Sequence, residues 1–216
     1  MPQIAISCRT RSTPFTERVT AAGVSAYTVY NHMLLPAAFR SLEADYRHLK
    51  SAVQIWDVAC ERQVELSGPD AARLAQMLTP RDLSRQRTGQ CLYTPTCDSA
   101  GHVLNDPVTI KLADDRFWVS VADSDVILFA KGLAAGAGLK VSVTEPDVSP
   151  LAVQGPLADD LMARAFGDNM RDIRFFGTAF IEFGGRSHLV ARSGYSLQGG
   201  FEIYLNGTDL GLPLWD

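Results

Sequence analysis

The 216-residue sequence lacks most of the features that announce a function. No run approaches the ~20 consecutive apolar residues that a bilayer-spanning helix needs, so no membrane segment is expected. The basic residues of the opening MPQIAISCRTRSTPFTERV are not followed by an apolar stretch, so no secretory signal is expected either. A net charge of −4 without any basic run argues against a nucleic-acid surface. The cysteines (Cys8, Cys60, Cys91, Cys97) form no CxxC pair, and the four histidines (His32, His48, His102, His188) are scattered. Together they suggest a reduced, cytoplasmic chain with no metal site. GxGxxG, GxxxxGK[ST], GxSxG and HExxH are all missing, which removes the usual nucleotide-binding, serine-hydrolase and zinc-protease readings.

What remains is ordinary globular text, 46% hydrophobic and 20% charged, long enough for one large domain or two small ones. AYTVY (26–30) is rich in strand formers. Leu42, Tyr46, Leu49 and Val53 share a helical stripe behind Ser41, a good N-cap, so 41–53 is expected to be a helix. VELSGPDAARLAQML (64–78) and LAVQGPLADDLMARAF (151–166) both read strand, Gly-Pro turn, helix, with proline where the helix begins. This repeat is either a structural echo or a common connector used twice. Between them HVLNDPVTIKL and RFWVSVAD read as an antiparallel meander. SDVILFAKGLAAG reads as a helix capped by Ser124 or Asp123. FIEF and SHLVAR flank Gly184-Gly185 as a hairpin. Helices and antiparallel strands without a regular βαβ rhythm predict an α+β fold. The final DLGLPLWD ends on Leu210, Leu212, Leu214 and Trp215, which reads as the end of a fragment.

Three stretches offer chemistry. In RSGYSLQGGFEIYL (192–205), alternation puts Phe201, Ile203 and Leu205 on one strand face and Glu202 and Tyr204 on the other. The second face is either solvated, or it holds a carboxylate that accepts from adjacent N–H donors of a bound ring. In LNDPV (104–108), Asp106 marks either a turn or a carboxylate aimed into a cleft. In YTVYNHM (27–33), Tyr27 and Tyr30 flank Asn31-His32, either as core staples or as aromatic walls for a cation. His48 is expected on a charged helix surface and His102 in a turn.

YTVYNHMLLP, WDVACERQVELSGPDA, LNDPV, SVADSDV, EPDVSPLAVQGP, ARSGYSLQGGFEIYL and the closing LWD, in that order, resemble the folate-dependent methyltransferases related to the glycine-cleavage T-protein. The likeness runs from about residue 9 to the end, and is greatest to the branch that demethylates dimethylsulfoniopropionate. It implies tetrahydrofolate as methyl acceptor, no metal, a small-molecule substrate, and a chain that acts alone or as a homodimer. It implies that Glu202 holds the pterin ring, with Tyr204, Tyr195, Phe176 and Gln154 around the folate. Asp106 would face the reacting nitrogen and be the catalytic residue. Tyr27, Tyr30, His32, Ser120 and Tyr195 would border the substrate. Tyr195 and Leu197 depart from the tryptophan and lysine expected at their positions. The implied architecture is the T-protein fold. Residues 1–49 and 150–216 form a discontinuous first domain, residues 50–149 an inserted second, and a C-terminal β-barrel is absent. Sibling activities, aminomethyl transfer or aryl-ether O-demethylation, and an inactive folate-binding fragment are the alternatives.

Overall fold

The computed structural model describes residues 7–216; the first six, part of the stretch read above for a secretory signal and of the 1–49 segment, lie outside the described residues. The chain opens with α1 (Thr16–Ala21), a hairpin of β1 (Ala26–Tyr30) and β2 (Met33–Ala38), and α2 (Leu42–Ser51). Next come β3 (Gln54–Asp57), β4 (Gln63–Ser67), α3 (Ala71–Leu78), and the short β5 (Cys91–Tyr93), β6 (Thr96–Cys97) and β7 (Val103–Asn105). β8 (Val108–Ala113), β9 (Arg116–Ser120), α4 (Val126–Gly136) and β10 (Ser142–Thr144) follow. The last part holds β11 (Val148–Gln154), α5 (Ala158–Phe166), β12 (Thr178–Phe183), β13 (Arg186–Ala191), β14 (Gly200–Asn206) and α6 (Gly211–Trp215).

Two five-stranded antiparallel sheets organise these elements. One runs β10-β4-β9-β8-β5, the other β3-β11-β14-β13-β12. The mixture of helices with antiparallel sheets is the α+β class that the sequence suggested. β3, although it precedes the first sheet in the chain, pairs with β11 in the second.

The two Gly-Pro turns superpose in their hydrogen bonds. Gly68 donates to the Asp115 carbonyl at 2.9 Å and Gly155 to that of Gly199 at 3.0 Å. Asp70 donates to Lys140 and Leu157 to Ala52, both at 3.3 Å, and Ala71 and Ala158 each close the turn at 3.0 Å onto Gly68 and Gly155. Both glycines have φ near +128° (129° and 127°), which only glycine adopts comfortably. Both are also crowded, since a Cβ would sit 2.9 Å from the Lys140 oxygen or 2.3 Å from the Ala52 oxygen. The prolines stand in the turns rather than on the first helical residue; Asp70 and Leu157 are the N-caps.

The alternation of each strand dictates its core. Val64, Leu66, Phe117 and Val119 pack under α3 and α4 through Leu74, Leu78, Val126 and Ala130. Val153, Phe201, Ile203 and Val190 pack under α5 through Ala158 and Met162. The opposite faces of the two sheets meet in a third cluster, which includes Cys91, Ile110 and Trp118 from the first sheet and Leu189, Ala191 and Tyr204 from the second. The edge strands are laced there by a reciprocal pair of bonds: Cys91 donates to the Phe176 carbonyl at 2.8 Å, and Thr178 to that of Gly89 at 3.0 Å.

Ser41 caps α2 as foreseen, at 3.1 Å from the Ala44 nitrogen, and the apolar stripe of the helix lies outside the core, with Leu42 88% exposed and Tyr46 58%. Leu42, Tyr46 and Leu49 instead wall a groove of about 820 Å³ with Leu35, Trp56 and Trp215. Neither Ser124 nor Asp123 caps α4, because each is engaged elsewhere. Ser124 Oγ accepts from Asn105 Nδ2 at 2.8 Å, and Asp123 Oδ1 accepts from the Asn31 nitrogen at 2.7 Å.

Candidate active site

The seam between the sheets is where the strand alternation of β14 delivers Glu202 and Tyr204. Glu202 is not on a solvated face. It is half-buried, and Tyr204 is 1% exposed. Glu202 Oε2 accepts from Ser193 Oγ at 2.5 Å and from the Tyr204 hydroxyl at 3.2 Å. Ser120 on β9 is a further hydrogen-bond neighbour of that hydroxyl, and its Oγ accepts from Gln63 Nε2 at 3.0 Å. A polar relay therefore crosses the seam from β4 through β9 to β14. The Trp118 and Tyr204 rings, 5.8 Å apart, floor it.

Burial pushes the Glu202 carboxyl above the usual range, against the hydrogen bonds from Ser193 and Tyr204, which favour the ionised form. Burial, then the Glu202 charge, holds the Tyr204 phenol well above its ordinary value, so it stays a donor. No described cation pairs with Glu202. Among the described residues no donor reaches its second oxygen.

A second carboxylate, unflagged in the sequence reading, joins it. Glu61 lies in the turn between β3 and β4, and its pKa is pushed up to about 8 by burial, then by the charges of Glu202 and Asp106. Asp106, on the exposed turn between β7 and β8, accepts from the Tyr93 hydroxyl at 3.5 Å. Tyr30 belongs to the same neighbourhood: burial first, then Glu61, raises its pKa to about 12. Phe176 flanks the third core cluster with φ +60°, a left-handed backbone that is uncommon for a bulky residue. Gly89, which accepts the other lacing bond from Thr178, has φ +77°.

Glu202, Tyr204, Ser120, Phe176, Asp106 and Tyr30 thus come together around the seam. Tyr27, His32, Tyr195 and Gln154 do not. Tyr27 packs against the cluster of Phe15, Val19 and Leu205, behind the sheet from Glu202, and its hydroxyl shares a 3.0 Å bond with Thr20. His32 is exposed and turns its Nε2 toward Asp125 at 3.4 Å. Tyr195 is 92% exposed. Gln154 is 1% exposed and spends its amide as a bracket, with Nε2 on the Ser193 carbonyl at 3.2 Å and Oε1 accepting from Ser196 at 2.7 Å. That bracket holds the loop carrying Ser193, the donor closest to Glu202. Among the described residues no His/Cys/Asp/Glu group has the geometry of a metal site.

Known proteins share this fold. A family profile described as the GCVT N-terminal domain matches residues 15–216. The chain belongs to the GCVT N-terminal domain family. Over its full length it is 58% identical to dimethylsulfoniopropionate demethylase DmdA of Ruegeria pomeroyi, covering 59% of that protein. It is 31% identical over 214 residues to a probable aminomethyltransferase of Halobacterium salinarum, with 95% of this chain and 58% of that one aligned. The chain thus spans about three-fifths of the length of these relatives. The crystal structure of glycine cleavage system aminomethyltransferase T from Bartonella henselae superposes with a TM-score of 0.81, at 22% identity, over 95% of this chain and 56% of that one. The fold is therefore that of the T-protein. No described helix is long and apolar enough to cross a membrane.

Proposed function

We propose that this GCVT domain carries the folate- and substrate-binding seam of a tetrahydrofolate-dependent demethylase acting on dimethylsulfoniopropionate. The observation behind this reading is Glu202, a half-buried carboxylate with no described cation beside it, one oxygen held by two hydroxyls and the other open. A pterin edge offers adjacent N–H donors that such an oxygen accepts, and Phe176 supplies an aromatic wall. The residues present fit the cofactor. The 58% identity to the Ruegeria pomeroyi demethylase favours the sulfonium donor over the sibling aminomethyl transfer.

Tetrahydrofolate supplies a nucleophilic nitrogen, N5, toward one S-methyl carbon. The carbon–sulfur bond breaks as the carbon–nitrogen bond forms, sulfur leaves as a neutral thioether, and the N5 proton is lost. The sulfonium needs no acid to leave, so the residues have three tasks: to exclude water, to align and to take a proton. Glu202 orients the ring, Tyr204 and Ser193 hold Glu202, and Ser120 fixes the Tyr204 phenol. Asp106 receives the proton, directly or through water. Residues 1–49 with 150–216 act as one discontinuous domain and 50–149 as the second, with β3 lent to the sheet of the first.

Calorimetric titration of the chain with tetrahydrofolate under anaerobic conditions, beside Glu202→Ala, tests the reading. Binding that Glu202→Ala weakens by about a hundredfold is expected, the scale of a buried charge-assisted hydrogen-bond pair. Equal binding by both proteins would overturn the role of Glu202. An Asp106→Asn protein that turns over normally would overturn its role as base.

A further inference from the structure

We propose that Gln154 is a positioning residue for Glu202: its buried amide fixes the 193–200 loop so that the Ser193 hydroxyl stays on the Glu202 carboxylate, and it acts on a bound folate only through that bond. The role toward Glu202 stands on geometry, and its consequence for folate deepens the reading above and rests on it.

The loop has little else to hold it. Its two large apolar side chains, Tyr195 and Leu197, are 92% and 93% exposed. Leu197 has φ +58°, and Gly194, Gly199 and Gly200 have φ +140°, +80° and +153°, so the backbone is both strained and costly to order. Among the described residues, hydrogen bonds from outside the loop to residues 193–199 come from three residues. Gly155 donates its nitrogen to the Gly199 carbonyl at 3.0 Å, at the far end. Glu202 Oε2 accepts from Ser193 Oγ. The others belong to Gln154: Nε2 donates to the Ser193 carbonyl at 3.2 Å, and Oε1 accepts from Ser196 Oγ at 2.7 Å. The same Nε2 reaches the Phe201 carbonyl at 3.5 Å, so one amide ties the start of the loop to the strand that follows it. The main chain winds closely on this amide, since a Cβ at Gly194 or Gly200 would collide with Gln154 Nε2. Gln154 is 1% exposed with both ends of its amide engaged, so it offers nothing to a ligand directly.

Ser193 is 3% exposed, and Glu202 is the partner of its hydroxyl among the described residues. That bond favours the ionised carboxylate, which burial opposes. Freeing the loop would leave burial less opposed, and Glu202 would titrate at higher pH. The titratable groups whose charge bears on Glu202 are Tyr204 on its own strand, Cys91 on β5 and Glu61 before β4. None is a cation, and none hydrogen-bonds to Gln154.

NMR titration of the ligand-free chain, labelled with carbon-13 at the glutamate carboxyls, reads Glu202 directly, its resonance assigned by its loss in Glu202→Gln. Gln154→Met keeps the side-chain length and removes the amide. It is expected to move the Glu202 midpoint to higher pH, as Ser193→Ala does, and the double variant to move it no further than Ser193→Ala alone. Tetrahydrofolate, titrated by calorimetry at pH 7, should bind both single variants about tenfold more weakly than wild type. A fall in Tm with the Glu202 midpoint unmoved would mean that Gln154 serves the fold alone, and would overturn the proposal. So would a midpoint that Gln154→Met shifts equally with and without the Ser193 hydroxyl. Gln154→Asn, which retracts the same amide by one methylene, carries the test if Gln154→Met does not fold. A wild type that fails to bind tetrahydrofolate, while Gln154→Met still moves the midpoint, would instead sink the folate reading and leave the role of Gln154 standing.

Discussion

The two sheets are the same diagram drawn twice, and they differ where the chemistry is. Counting from the turn glycines, Glu65 on β4 corresponds to Ala152 on β11, and their partners across the ladder are Trp118 and Glu202. The first sheet therefore places its carboxylate on the second strand and its indole on the third. The second sheet has alanine and a carboxylate at those positions. Glu65 is paired with a cation: its Oε2 accepts twice from Arg116, at 2.6 and 2.9 Å, and once from Trp118 Nε1, at 2.8 Å. Glu202 has only hydroxyls and an open oxygen. A carboxylate that serves the fold is neutralised by its own sheet; Glu202 is held in place without being neutralised, as the folate role proposed for it requires.

The largest effect expected from testing this comparison comes at the shared turns. Gly155→Ala should destabilise by about 3 kcal/mol or more, because a forbidden φ and a 2.3 Å backbone clash coincide. Gly68→Ala meets a looser 2.9 Å contact and should cost less, and paired denaturant melts would read the order. A reversed order would mean that the two turns are not equivalent in energy. Next, the two carboxylates should respond with opposite sign. Glu65→Gln strands Arg116 and Trp118 and should cost about 1–2 kcal/mol, lowering Tm by about 2–4 °C per kcal/mol, with tetrahydrofolate affinity untouched. Glu202→Gln removes a poorly solvated charge and should leave Tm equal or higher while tetrahydrofolate binding collapses. Matching stability losses at both sites would break the distinction.

A smaller effect appears in pH dependence. Glu61 has a folded pKa of about 8, raised from an ordinary 4.5. Between those values the folded chain keeps a proton that the unfolded chain has released, so this contribution is fully present below about pH 4.5 and is lost as pH rises toward 8. Stability should fall by on the order of 1 kcal/mol per pH unit from this group across pH 5–8, and Glu61→Gln should flatten that slope in chemical melts. The smallest effect is expected at the lacing. Phe176→Gly would copy Gly89, relieving about 1 kcal/mol of left-handed strain while removing ring contacts. Tm should barely move, yet tetrahydrofolate should bind more weakly. A large fall in Tm would show that the ring serves packing alone.

Local pattern foretold most strands of both sheets, though not β3, together with the Gly-Gly hairpin and the Gly-Pro echo, because alternation and turn chemistry act over a few residues. It also brought Glu202 and Tyr204 to one face. It could not show what that face meets, since the seam is closed by β4, β5 and β9 from far along the chain. Glu61 escaped notice for the same reason: an isolated acid before a strand reads as solvated until Glu202 and Asp106 arrive beside it. The pattern of Tyr27 and Tyr195 shows no surroundings: Tyr27 packs in the cluster behind the sheet, and Tyr195 is exposed on its loop. The α2 stripe gave the helix but not its surroundings, because a helical apolar face does not say what packs on it.

The position of β3 has a consequence for the order of assembly. All five strands of the first sheet lie in one continuous stretch, 63–144, so every one of its pairings can close within that stretch and is expected to precede the pairing of β3. β3 must wait, edge unpaired, until the whole of that stretch has been made and β11 emerges to meet it. The seam, and with it every contact of Glu202, forms only after β14 docks. On a ribosome the seam is thus completed after the first sheet, which is the template on which the second one settles.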